Sequence, residues 1–117
     1  MRRVKLWGPL FFWCALIFFL SGIPDLNSGL EYDYPLRKLC HMIEFGALFW
    51  LTRRALAGTW GERRAWLFAA AAFAVFYAMT DEYHQTFVIG RHGCWSDVGI
   101  DSAGVFAAVL IRVLAAS

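Results

Sequence analysis

The chain has 117 residues, 60% of them hydrophobic and 17% charged, with a formal net charge of +2. Soluble domains carry roughly 45–50% and 25%, so the length sets one domain, residues 1–117, and the composition points away from a water-soluble core toward a membrane. The 11 basic residues form no run interleaved with aromatics, which argues against a nucleic-acid partner, and three cysteines without a CxxC pair imply neither a disulfide framework nor a zinc knuckle.

Arg2, Arg3 and Lys5 precede an uncharged stretch from Leu6 to Ile23, close to the roughly 17–25 residues of a spanning helix. Pro9 is expected in its first turn, where a missing N–H does little harm. A basic start before an apolar run also fits a signal peptide, but Ser21-Gly22-Ile23-Pro24 offers no clear small-x-small cleavage site and further apolar blocks follow. The turn formers between Pro24 and Pro35 predict a loop. A second block, residues 36–52, carries Arg37, Lys38, His41 and Glu44, and Arg53 to Arg64 is expected as a short basic hairpin around Gly58 and Gly61. The third span is predicted over 65–82, uncharged and rich in Ala and Phe up to Thr80. The fourth, over 95–115, is interrupted near its start by Asp97 and Asp101. The six tryptophans fall mostly near predicted span ends, where they suit the lipid–water interface.

The predicted fold is therefore all-α, an integral membrane four-helix bundle. With a cytoplasmic N-terminus, four spans leave Arg2, Arg3, Lys5, Arg53, Arg54, Arg63, Arg64 and Arg112 inside and only Arg37, Lys38 and Arg91 outside. Lys and Arg accumulate on the cytoplasmic side, so both termini are predicted inside. Of the nine acidic residues only Glu62 is then inside.

Residues three or four apart share a helix face. That groups Arg37 or Lys38 with His41 and Glu44 in the second span, Asp81 with His84 and Gln85 at the end of the third, and Asp97 with Asp101 in the fourth. Gly104 and Ala108 continue the last stripe and would let a neighbouring helix approach closely. Lipid penalises such stripes, so they are expected to face one another. Glu44 lies about two turns into an apolar helix, where either a functional role or an ion pair locking helices together accounts for it. Glu82 and His84 fit the wet, interfacial end of a helix, and Asp81 and Gln85 a shared polar network. Arg91, after Gly90, presents a planar fork suited to phosphate or carboxylate, or a salt bridge to Asp97 or Asp101. The spacings H-x-x-E and D-x-x-H offer nitrogen and oxygen ligands as in carboxylate–histidine bundles. Neither is a diagnostic motif such as H-E-x-x-H, so no metal and no cofactor is assigned. Cys40 and Cys94 are both placed at the outer face, where a disulfide between them is one option.

The basic residue with His41 and Glu44 early in an apolar helix, the run D-E-x-H-Q-x-F-V-x-G-R beginning at Asp81, and S-D-V-x-x-D-x-x-G ending at Gly104 together resemble the VanZ-like membrane proteins. The resemblance runs from Ser21 to Gly104 and places the family's polar positions at Lys38, His41, Glu44, Asp81, Glu82, Gln85, Phe87, Gly90, Arg91, Asp97 and Asp101. Many members have Pro where this chain has Ile89. The family is named for a protein associated with teicoplanin resistance. The resemblance therefore implies a multi-pass protein of the bacterial cytoplasmic membrane, acting in the cell envelope, with a glycopeptide, a membrane lipid or a lipid-linked envelope precursor as partner.

Two function classes stay open. In one, Lys38, Arg37 and Arg91, with Gln85, Glu82, Asp97 and Asp101 around them, bind an anionic ligand at the outer face. In the other, a hydrolase or transferase uses Glu44 or Asp81 as general base, His41 or His84 as proton partner and Arg91 as electrostatic stabiliser.

Overall fold

The computed structural model describes residues 2–21, 33–87 and 95–116, with the side chains of 3–20, 39–84, 86–87 and 98–115. Four helices, α1 (Arg2–Ser21), α2 (Asp33–Trp60), α3 (Ala65–Gln85) and α4 (Trp95–Ala116), account for almost all of it, and no strand occurs among the described residues. Residues 24–32 of the predicted 24–35 loop, the Gly90-Arg91 turn and Cys94 lie outside the described residues, and Cys40 carries a free thiol.

Three boundaries differ from the sequence reading. α1 starts at Arg2, so Pro9 sits in the helix interior rather than its first turn. Its ring has no N–H for the Lys5 carbonyl. α2 starts at Asp33, which brings Pro35 into the first turn, where no helical donor is needed. The expected basic hairpin is mostly helix: α2 continues through Arg53 and Arg54 to Trp60, carried by the helix-favouring Ala55-Leu56-Ala57. It stops where Gly61 takes φ +91°, a left-handed turn open to glycine at little cost. Only residues 61–64 connect α2 to α3.

α2 packs against all three other helices, most extensively against α4. Its Phe45, Leu48 and Phe49 are fully buried at the centre. This position explains why the helix with the most interior charge can be tolerated: its neighbours cover it. The α2–α4 seam is close because Gly46 and Gly104 face each other. A Cβ on Gly104 would overlap the Met42 carbonyl oxygen, and one on Gly46 would lie 3.1 Å from the Gly104 carbonyl oxygen and 3.7 Å from Ala108 Cβ. This is the approach that the small residues of α4 predict.

α3 buries Ala70, Ala74 and Ala78, one face at a spacing of four, and turns Phe68, Phe73 and Phe76 outward. Phe11, Phe12, Phe18 and Phe19 of α1 and Phe106, Leu110 and Ile111 of α4 are likewise exposed. A protein in water would bury the large side chains first. Hydrocarbon removes that preference and rewards close helix contact through small residues instead. Two helices, over Arg3–Leu20 and Val98–Ala115, are long and apolar enough to cross a membrane. α3 falls short because its uncharged run ends at Thr80, before Asp81 and Glu82.

Polar ties connect the elements. Trp7 Nε1 donates to Thr59 Oγ1 (2.8 Å), Trp13 Nε1 to the Glu44 carbonyl (2.9 Å), and the Tyr77 hydroxyl to the Cys14 carbonyl (2.6 Å). Trp7, Trp60 and Trp66 cluster at the α2–α3 turn, where an interfacial belt is expected. Trp13, by contrast, is an internal strut between α1 and α2.

Candidate functional site

The polar site lies where the N-terminal half of α2, the C-terminal end of α3 and the start of α4 meet. Each helix contributes one residue to its centre: His41, Asp81 and Asp101 bring a ligand atom each to within 4.8 Å of one another. His41 Nδ1 is 3.6 Å from Asp101 Oδ1 and 3.9 Å from Glu44 Oε2. The local cause is helical register. His41 and Glu44 are one turn apart on α2, Asp101 precedes Gly104 by one turn on α4, and the Gly104–Met42 approach draws those two stripes together.

Burial sharpens the chemistry. Asp81 and Asp101 are 4% and 1% exposed, while His41 and Glu44 keep about a quarter of their side-chain surface open. An ionised carboxylate removed from water to this degree costs several kcal/mol unless cations or donors compensate it. The imidazole beside Asp101, at 3.6 Å, is beyond hydrogen-bond reach and can compensate it only as a cation; His41 and Glu44 form the open edge of the centre. A set of one nitrogen and two oxygen donors, with Glu44 next to it, is also suited to a divalent transition metal. In that case His41, Asp81 and Asp101 would be the ligands.

The arrangement unites residues that the sequence placed on separate stripes. His41 lies beside Glu44 as expected, and the stripes of α2 and α4 face one another, so that His41 also approaches Asp101 across the seam. Glu82 corrects the sequence reading outright. It was expected as the wet end of α3 and is 3% exposed, because α3 continues past it to Gln85 and keeps that turn packed in the bundle. His84 stacks on Phe18 of α1, ring centroids 4.3 Å apart, and lies outside the three-residue centre. The side chains of Lys38, Gln85 and Asp97, and Arg91 entirely, lie outside the described residues.

Sequence reasoning missed the opposite end of the bundle. There Arg53, only 8% exposed, pairs with Glu62, and Arg112 Nη2 approaches the same carboxylate oxygen at 3.7 Å. The signal was present: Glu62 is the lone acid among the residues predicted inside, and a solitary acid among arginines is placed to clasp them.

No curated protein and no solved structure is significantly similar to the chain. The VanZ/LLP1 family model matches residues 6–116, which takes in all of α2, α3 and α4, α1 from Leu6 onward, and every residue of the polar centre. This all-helical chain is a member of the VanZ/LLP1 family.

Proposed function

We propose that the chain is a four-span protein of the bacterial cytoplasmic membrane, with both termini inside, whose polar centre opens to the outer face and engages an anionic or lipid-linked envelope ligand. The observation that carries this reading is the burial of Asp81 and Asp101 beside His41 at the meeting of three helices. Ionisable groups at such a depth are expensive to retain and mark sites of binding or transfer. The topology is supported by the 8-to-3 division of basic residues and by the outward-facing phenylalanines of α1, α3 and α4. Lys38 and Arg91 are the proposed anion contacts, with Arg37 beside Lys38. Lowered susceptibility to a glycopeptide such as teicoplanin is the proposed consequence of ligand engagement. Expression in a susceptible bacterium tests it: the wild-type chain should raise the inhibitory teicoplanin concentration, and Arg91→Ala should abolish the effect. An unchanged susceptibility with Arg91→Ala, together with unchanged ligand binding, removes the proposal.

A second reading, an intramembrane hydrolase or transferase acting on a lipid-linked substrate, is favoured by one observation, an imidazole whose Nδ1 lies 3.6 Å from Asp101 and 3.9 Å from Glu44. Through one bridging water or substrate group, such a set can pass a proton at the edge of a buried site. Glu44→Gln separates the two readings. An enzyme loses turnover and keeps its substrate affinity, whereas a binder shows no turnover in either form and holds its ligand nearly as well.

A further inference from the structure

A cavity of about 700 Å³ opens between α3 and α4 at the end of the bundle opposite His41 and Asp101. Along α4, Asp101 and Arg112 are separated by about 16 Å at 1.5 Å per residue, so the two sites are independent. The cavity has two chemically distinct parts. Arg53, Arg63, Arg64 and Arg112 line one end together with Glu62, and four arginines against one glutamate leave three positive charges. Leu67, Phe68 and Ala71 of α3 form one wall of the other end, and Phe106, Val109 and Val113 of α4 the facing wall.

Glu62 takes up two of the arginines, Arg53 and Arg112. Arg63 and Arg64 are exposed, in the turn just before α3. Their guanidinium groups present the fork geometry that matches phosphate oxygens. Phe68 and Phe106 are exposed as well, so the apolar part is open sideways, the direction from which a membrane component arrives. A soluble anion would use the arginines and leave the apolar walls uncovered; a neutral lipid would do the reverse. We infer that this cavity is a binding site for an anionic phospholipid, its phosphate on Arg63 and Arg64 and its acyl chain between Leu67 and Val113. Basic pockets between membrane helices on the cytoplasmic side hold acidic headgroups by the same physics. The volume is within the roughly 300–1,000 Å³ of ligand pockets.

The test is native mass spectrometry of the full chain in detergent with equal amounts of phosphatidylglycerol and phosphatidylcholine bearing the same acyl chains. Phosphatidylglycerol adducts should dominate. Each exposed arginine should contribute about fivefold to that preference, so Arg63→Gln and Arg64→Gln should each lower it by that factor. Val113→Trp, at a position already half exposed, fills the apolar end and should reduce phosphatidylglycerol adducts while leaving the protein folded. Glycerol 1-phosphate, the headgroup without a tail, should not compete at tenfold excess. Equal adducts of the two lipids, a preference that survives both arginine variants, or displacement by glycerol 1-phosphate would each overturn the assignment.

Discussion

At one end of the helices Asp81 and Asp101 are 4% and 1% exposed, enclosed by α2, α3 and α4 with His41 beside them. At the other end Glu62, in the α2–α3 turn, is 61% exposed and is reached by Arg53 of α2 and Arg112 of α4. The first end removes carboxylates from solvent and the second leaves the carboxylate wet while shielding an arginine. The difference separates two uses of charge in a small helical bundle. A wet clasp costs little and steadies a turn. A dry carboxylate cluster is poor structural material, because apolar residues of similar volume commonly serve stability as well or better. The second end has the character of a clasp beside the proposed lipid cavity, and the first that of the proposed ligand site.

The comparison can be broken most forcefully at the seam between α2 and α4. Gly104→Val drives a side chain into the Met42 backbone, a contact that no rotamer relieves. We expect a loss of about 3 kcal/mol or more, seen as a fall in folded, monodisperse protein. The carboxylate end should be lost first, since His41 and Asp101 meet across this seam. The Arg53–Glu62 pair, local to one turn, should persist. Gly46→Ala, whose Cβ would sit 3.1 Å from the Gly104 carbonyl oxygen, should cost about 1 kcal/mol.

Glu62→Gln sharpens the other side. It leaves Arg53 shielded without its carboxylate, but the exposure of Glu62 limits the effect to about 1 kcal/mol. The difference from wild type in thermal melting should shrink in high salt, as expected for a screened pair. An effect of several kcal/mol that ignores salt would place this pair in the same class as the buried cluster. The smallest change is Trp13→Phe, which removes the donor to the Glu44 carbonyl. It should lower stability by about 0.5 kcal/mol, measurable as a small shift in melting, with ligand binding at the Glu44 side chain retained.

The helices themselves were legible from block length: each predicted span overlaps an observed helix. Two of the four, in α1 and α4, are long and apolar enough to cross a membrane. Boundaries were less legible. Arg53 and Arg54 read as loop because they are charged, but a helix can continue through charge where neighbouring helices and an acidic partner receive it. Within the site, stripes three and four residues apart identified His41, Glu44, Asp81 and Asp101 individually. Periodicity works within one helix, so it could not reveal that His41 meets Asp101 rather than only Glu44. That pairing depends on how closely α2 and α4 approach, which Gly104 hinted at and only the packing determines. Glu82 was misread for the same reason: its burial comes from neighbouring helices, not from its own sequence context.

Whether the His41–Asp81–Asp101 centre is a ligand site is tested most directly by native mass spectrometry of wild type and His41→Gln with a polyprenyl phosphate, alongside thermal melting of both. Glutamine keeps a hydrogen-bond donor beside Asp101 and removes the imidazole, the group of the centre that can carry positive charge to a phosphate. The adduct should fall at least tenfold in the variant, equivalent to about 1.4 kcal/mol, while the melting temperature stays within about 2 °C. Equal adducts from a variant that melts many degrees lower would contradict a ligand site and make the cluster a helix clasp.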